Sequence, residues 1–454
     1  MASKVYYMNA RSASLETGLV PKLLAVFEAA GFDKLIKPKD LVAIKTHCGE
    51  WNNTGYLRPV YARALVDRVK ALGGRPFVCD TTTLPYGPYA SRVTELDFLT
   101  TAERNGYSPA VLGCPFICAD GFMGTDDYRV ELPEGYVLKE AFIATAIAAA
   151  DVLITLTHFK GHLMGVIGGA IKNLGIGAQS KRGKFNVHMG GHPRYGFKGT
   201  ARLHPEKLAG RNGGAAGEFL EDICPFGLIH VSEESIEWDQ DKCPTCRACM
   251  APMTASGVLE VDDANQEAAN AAIADACLGA IKAVGRGRVA FINLALDLTP
   301  GCDCQNFSDM PIVPNLGVFA SDDPVAIDKA CLDKATAALG ISGSTAADKG
   351  ALDTGKHKFE LCASRAPGIS EEIQLATGEI IGLGSRRYEL VEVAQGKPED
   401  FAFSPDPRPV GLRLRGKFAK FPPFPFDRHD GNGFLRQEEV DLARVNTPAN
   451  TRKG

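Results

Sequence analysis

The chain has 454 residues, 45% hydrophobic and 23% charged, with 50 Lys and Arg against 54 Asp and Glu. That is the balance of a water-soluble globular protein of one to three domains, and it argues against a generally basic nucleic-acid binder. The start, MASKVYYMNARSAS, lacks the apolar core of a secretory leader and no long apolar run follows, so a cytoplasmic protein with no membrane or nucleic-acid partner is expected.

The first half reads as alternating strands and helices, the signature of an α/β fold with a mostly parallel sheet and helices on both faces. LVAIKTH (41–47) is a short apolar run, LRPVYARALVDRVKALGG places Leu57, Val60, Tyr61, Ala64, Leu65, Val69 and Leu72 on one helical face, and PFVCD (76–80) follows as a second strand. A helix is expected around 138–150, leading into a strand at 151–157. Further strands are expected near 226–231, at 288–296 and at 316–321. Asp323 then serves as N-cap and Pro324 as first residue of a helix.

Polar residues collect after these strands: Lys45, His47 and Glu50; Asp80 and Thr81 to Thr83; His158 and Lys160; Asp297, Cys302 and Cys304. Open α/β sheets bind ligands beyond the carboxyl ends of their strands, so one cleft is expected to gather all four groups.

The expected division is an α/β core over 1–235 and 288–395, a Cys-rich insert at 236–287 and a C-terminal extension at 396–454. In the insert, Cys243, Cys246 and Cys249 form C-x2-C-x2-C, a spacing that lets three thiolates converge on one face of a 4Fe-4S cluster. Met253 occupies the slot of the next ferredoxin cysteine. Cys277, in CLGAI, resembles the isolated cysteine that closes a cluster in two-cluster ferredoxins and on that likeness is read as the fourth ligand of a single cluster, with zinc or unliganded packing cysteines as the alternatives. In the tail, Asp430, Asn432, Gly433 and Glu439 sit at calcium-loop offsets, but Arg428 holds the first ligand position, so a plain turn is expected.

Between Val152 and His204 there is no Asp or Glu, yet there are eight Lys and Arg and five of the nine histidines. Glycines such as Gly168 and Gly169 let backbone approach a ligand, and Lys160, Lys172, Asn173, His162 and His188 supply polar groups. This combination suits an anionic small molecule or an organic anionic cofactor. Cys302 and Cys304, in a C-x-C, are read as thiols of the same cleft or as ligands of a second metal.

The segments THCGEWNNTGYLRP, THFKGHLMGVIGGAIKNLGIGAQSKRGKFNVH, LTPGCDCQNFSDMPIVPNLGVFASDDPVAID and IIGLGSRRYEL together resemble the iron-sulfur proteins of domain-of-unknown-function family 362, over about 5–395. The resemblance implies a sheet domain with an inserted ferredoxin-like module, often from anaerobes. A remoter similarity, at His162, Lys172 and His188, is to the nickel-pincer lactate racemases. It implies a lysine that holds the cofactor and histidines that serve as metal ligand and acid/base. The reading taken forward is an iron-sulfur oxidoreductase that accepts electrons from a low-potential donor such as ferredoxin or flavodoxin. It passes them to an anionic substrate at Lys45, His47, Lys160, His162, Lys172 and His188. The alternatives are a racemase- or isomerase-like enzyme with a structural cluster, or a non-catalytic electron carrier.

Overall fold

The computed structural model describes residues 2–85, 90–190, 201–208, 219–232, 235–244, 246, 248–250, 253, 256–260, 264–363, 368–394, 408–421, 437 and 439. Two compact units divide the chain, Met1–Lys397 and Pro398–Gly454. The loop at 428–436 and His192 lie outside the described residues. In the second unit two short helices are described, Val410–Arg413 and Lys417–Lys420.

The first unit is built on an eight-stranded sheet. In spatial order its strands are Tyr388–Glu392, Ser3–Asn9, Gly317–Ser321, Val289–Ala295, Val152–His158, Leu41–Lys45, Arg75–Asp80 and Phe116–Cys118. Only Gly317–Ser321 runs against the others. Burial on both faces explains why these strands read as continuous apolar runs. Val42 and Ile44 enter a core with the helices Leu19–Ala29 and Pro59–Ala71, whereas Ala43, Leu153 and Phe291 enter the opposite core with Ala264–Val284 and Pro324–Ala337. The expected α/β architecture is present. The Asp323 carboxylate caps its helix through the N–H groups of Val325 and Ala326, both at 2.9 Å.

Two expectations change. The segment expected to be helical at 138–150 forms the strand Glu140–Ala144, paired antiparallel with Asp127–Glu131, and then only one helical turn, Thr145–Ala148. Its alanines favour a helix locally, but pairing and burial of Ala141 and Ile143 override that preference. The Ala-rich segment 264–284, assigned to the Cys-rich insert, forms the helix Ala264–Val284 and packs in the main core with Ala170–Gly175 and Glu140–Ala144.

The Pro324–Ala337 helix also braces the segment that leads to the site. The fully buried Asp328 carboxylate accepts from the backbone N–H of Ala170 (2.7 Å) and Ile171 (2.9 Å) and from Asn293 Nδ2 (2.7 Å). Burial pushes its pKa up to about 6 against these donors. A Cβ at Gly169 would stand 2.3 Å from the same carboxylate, so this glycine makes room for Asp328. Asp328→Ala, which leaves three buried donors unpaired, is expected to cost about 3 kcal/mol. Gly169→Ala is also expected to be destabilising. Urea denaturation midpoints at constant slope measure both.

Candidate functional site

The four loops at the carboxyl ends of the strands meet in a buried network of charges. Lys45, fully buried at the end of its strand, lies 2.9 Å from Asp80 Oδ1 on the neighbouring strand and donates to Asn173 Oδ1 at 2.8 Å. Asn173 in turn donates to Thr157 Oγ1 at 2.9 Å. Arg92 faces Glu50 Oε2 at 3.2 Å and Asp80 Oδ2 at 3.6 Å. Burial alone would raise the Asp80 carboxyl, but Lys45, His47 and Arg92 outweigh it and hold the group well below its usual range. His47 is driven down to about 3 by burial and by Arg92, so it is a neutral imidazole at neutral pH, and its Nδ1 accepts from Gly49 N at 2.9 Å.

Asp303, between the two cysteines of the C-x-C, anchors the second half of the network. Its carboxylate lies 3.0 Å from His158 Nδ1 and 3.1 Å from Lys160 Nζ, while its carbonyl accepts from Glu50 N at 2.8 Å. Burial would lower the Lys160 ammonium, yet Asp303 and the nearby cysteines overcome this and raise it.

This anchor holds Cys302 and Cys304 against His162 and Lys172. Lys172 Nζ is 3.8 Å from Cys302 Sγ, His162 Nε2 is 4.0 Å from Cys304 Sγ, and the backbone N–H of Cys304 points at Cys302 Sγ at 3.3 Å. Burial opposes ionisation of Cys302, but a hydrogen bond from Cys304 and the charges of Lys172, His162 and Lys160 hold its pKa well below the ordinary thiol value. Cys304 is pushed well above that value, first by its hydrogen bond to Cys302 and then by burial. Of the pair, Cys302 is thus the thiol whose ionisation is favoured.

The donor atoms of His162, Cys302 and Cys304 lie within 4.8 Å of one another, so the three can hold a metal ion with one coordination position open. The tautomer of His162 bears on this. Its Nδ1 accepts from Gly165 N at 2.8 Å and from Met164 N at 3.2 Å, which puts the proton of the neutral ring on Nε2, facing the sulfurs. A metal-bound imidazole usually donates from its second nitrogen. The turn that supplies these N–H groups ends at Val166, a buried β-branched residue with φ of 59°.

Of the expected cleft residues, Lys45, His47, Lys160, His162, Lys172, Asn173, Cys302 and Cys304 come together. Gly168 lies on the Val166–Gly168 strand of a hairpin with Lys160–His162, and Gly169 serves the packing of Asp328. His188 is buried at the end of the Lys181–His188 helix. That helix contributes Lys184, whose Nζ donates to Thr81 Oγ1 at 2.8 Å and is brought down to about 8 by burial, near enough to neutrality to exchange protons. Arg92, which no motif signalled, is the main addition.

Of the motif cysteines, Cys249 lies in a small separate core with Leu220, Ile229, Ile236, Met253 and Val258. Burial pushes Cys246 up to about 11 and Cys249 up to about 12, and the thiols of Cys243 and Cys224 press the same way. Apolar, crowded thiols of this kind fit a multivalent iron centre that supplies the missing positive charge. Cys277 is not with them. It is fully buried in the main core on the Ala264–Val284 helix, with Asp328 as its charged neighbour, because the helix carrying it belongs to that core.

Among the described residues, no helix is long and apolar enough to cross a membrane. No curated protein matches the chain. A solved structure with distant similarity is the lactate racemase apoprotein from Thermoanaerobacterium thermosaccharolyticum, at 13% identity and a TM-score of 0.32, covering 65% of this chain and 51% of that one. The chain therefore spans about half the length of that protein, and the likeness carries no conclusion about chemistry. The family described as Domain of unknown function (DUF362) matches residues 42–333, and the chain belongs to it.

If Lys172 and His162 hold Cys302 as a thiolate, its ultraviolet thiolate absorbance should persist well below the ordinary thiol pKa of about 8.5. The measurement is the difference spectrum between wild type and Cys302→Ser from pH 5 to 9. Lys172→Met should move the titration upward by about a unit or more, because a nearby cation favours the charged form.

Proposed function

We propose that this member of the DUF362 family is an oxidoreductase that reduces an anionic small molecule, with Cys302 and Cys304 as the reacting pair. The observation that carries the reading is the packing of Cys302 and Cys304 together beside His162 and Lys172, an arrangement that favours ionisation of Cys302 over Cys304. Closing the pair to a disulfide releases two electrons and the Cys304 proton. A substrate that takes up all three leaves as a reduced anion, which the Lys172 ammonium is placed to hold. Two electrons and one proton then restore the thiolate and thiol. A four-iron cluster at the Cys243 motif supplies single electrons when bound, drawn from a low-potential donor such as ferredoxin or flavodoxin. Asp303 fixes the C-x-C loop, and Lys184 is the group suited to exchanging protons near neutral pH.

A second reading is favoured by the proximity of His162, Cys302 and Cys304: a resident metal at these three residues, a racemase- or isomerase-like reaction, and a purely structural cluster. The Nδ1 contacts of His162 count against it.

The test is a panel of carboxylate and phosphate compounds offered to reduced protein without oxygen. In the absence of an electron donor, one equivalent of product should form and Cys302 and Cys304 should become resistant to alkylation. With a donor, turnover should continue, and Cys302→Ser should lower it about a hundredfold or more. Sustained turnover without a donor, with both thiols free and a stoichiometric non-iron metal lost in His162→Ala, would establish the second reading instead.

A further inference from the structure

The small core beside the C-x2-C-x2-C contains a fourth thiol, Cys224. It is half-buried against the same apolar group as Cys249 and Met253. A short chain of hydrogen bonds ties it to the motif. Leu228 N donates to Cys224 Sγ at 3.3 Å, Asp239 N to Leu228 O at 3.0 Å, and Cys243 N to Asp239 O at 3.2 Å. The hairpin of Ile229–Val231 and Ile236–Trp238 closes this ladder, folding the chain so that Cys224 returns to the start of the motif. The N–H on its sulfur is a feature of cluster thiolates, whose hydrogen bonds tune the iron centre.

The sequence around it has the matching form. In two-cluster bacterial ferredoxins the fourth cysteine of a run precedes proline and ligates the cluster held mainly by the other run. Cys224 precedes Pro225 and lies upstream of Cys243, Cys246 and Cys249. Met253, buried, fills the slot where the ligand of a second cluster would stand.

We infer that Cys224, and not Cys277, is the fourth cysteine ligand of the four-iron cluster held by Cys243, Cys246 and Cys249. The inference rests on the cluster invoked in the proposed function but is independent of the chemistry at Cys302.

The test is reconstitution of the full chain with ferrous iron and sulfide under anaerobic conditions, read by iron and sulfide content and by electron paramagnetic resonance. Wild type and Cys277→Ala should each hold about four irons with the same spectrum. Cys224→Ala should fall to about three or fewer and give a three-iron signal when oxidised. Cys224→Ser, which keeps the size and a weaker oxygen ligand, should retain a cluster with an altered spectrum, and this separates ligation from folding. Full iron content and an unchanged spectrum in both Cys224 variants would overturn the assignment, as would loss of the cluster in Cys277→Ala with far-ultraviolet circular dichroism intact. Wild type that takes up no iron would instead remove the electron source from the proposed function, while the reactivity of Cys302 would still be measurable.

Discussion

The site depends on one buried carboxylate. Asp303 is 1% exposed and lies between the two cysteines in sequence, so its side chain faces His158 and Lys160 while its neighbours Cys302 and Cys304 face His162 and Lys172. A charge buried this far from water is sustained only by close partners. Those partners come from the end of one strand and the adjoining hairpin, and the loop after a third strand is tied to its carbonyl through Glu50 N. Satisfying one carboxylate therefore sets the positions of three separate loops.

Asp80 does the same on the other side of the sheet's carboxyl edge, between Lys45 and Arg92. The two carboxylates absorb much of the positive charge that the acid-free stretch from Val152 to His204 brings inward. Lys45 is matched by Asp80 and Lys160 by Asp303, whereas Lys172 has Cys302 as its nearby anionic partner. Positive charge in excess of carboxylate thus falls near a sulfur, and this is the physical reason that ionisation of Cys302 is favoured over that of Cys304.

Much of this was legible from residue order. The apolar runs ending in Lys45, Asp80 and His158 marked strands buried on both faces, and the polar residues just beyond the strand ends form a buried network of charges. The strand Glu140–Ala144 was not legible, because its alanines carry a helical preference that only pairing with Asp127–Glu131 reverses. Arg92 could not be found either, since it lies outside any periodic element and acquires its role through Glu50 and Asp80, distant in sequence. Cys277, read as a cluster ligand from its resemblance to a ferredoxin cysteine, is carried into the main core by the helix Ala264–Val284, a long-range packing that spacing alone does not reveal.

Val166 holds a backbone conformation that costs a β-branched residue of order 1–3 kcal/mol, and it does so immediately after the turn whose N–H groups grip His162. The packing around it over-determines that geometry, so the imidazole is held in place by a loaded spring. Rotation of this one residue back to an extended conformation would be downhill locally and would loosen the grip on the ring. The turn that grips His162 is therefore also the part of the site with stored energy to move, and a bound molecule that displaced the turn would draw on that energy and not have to supply all of it.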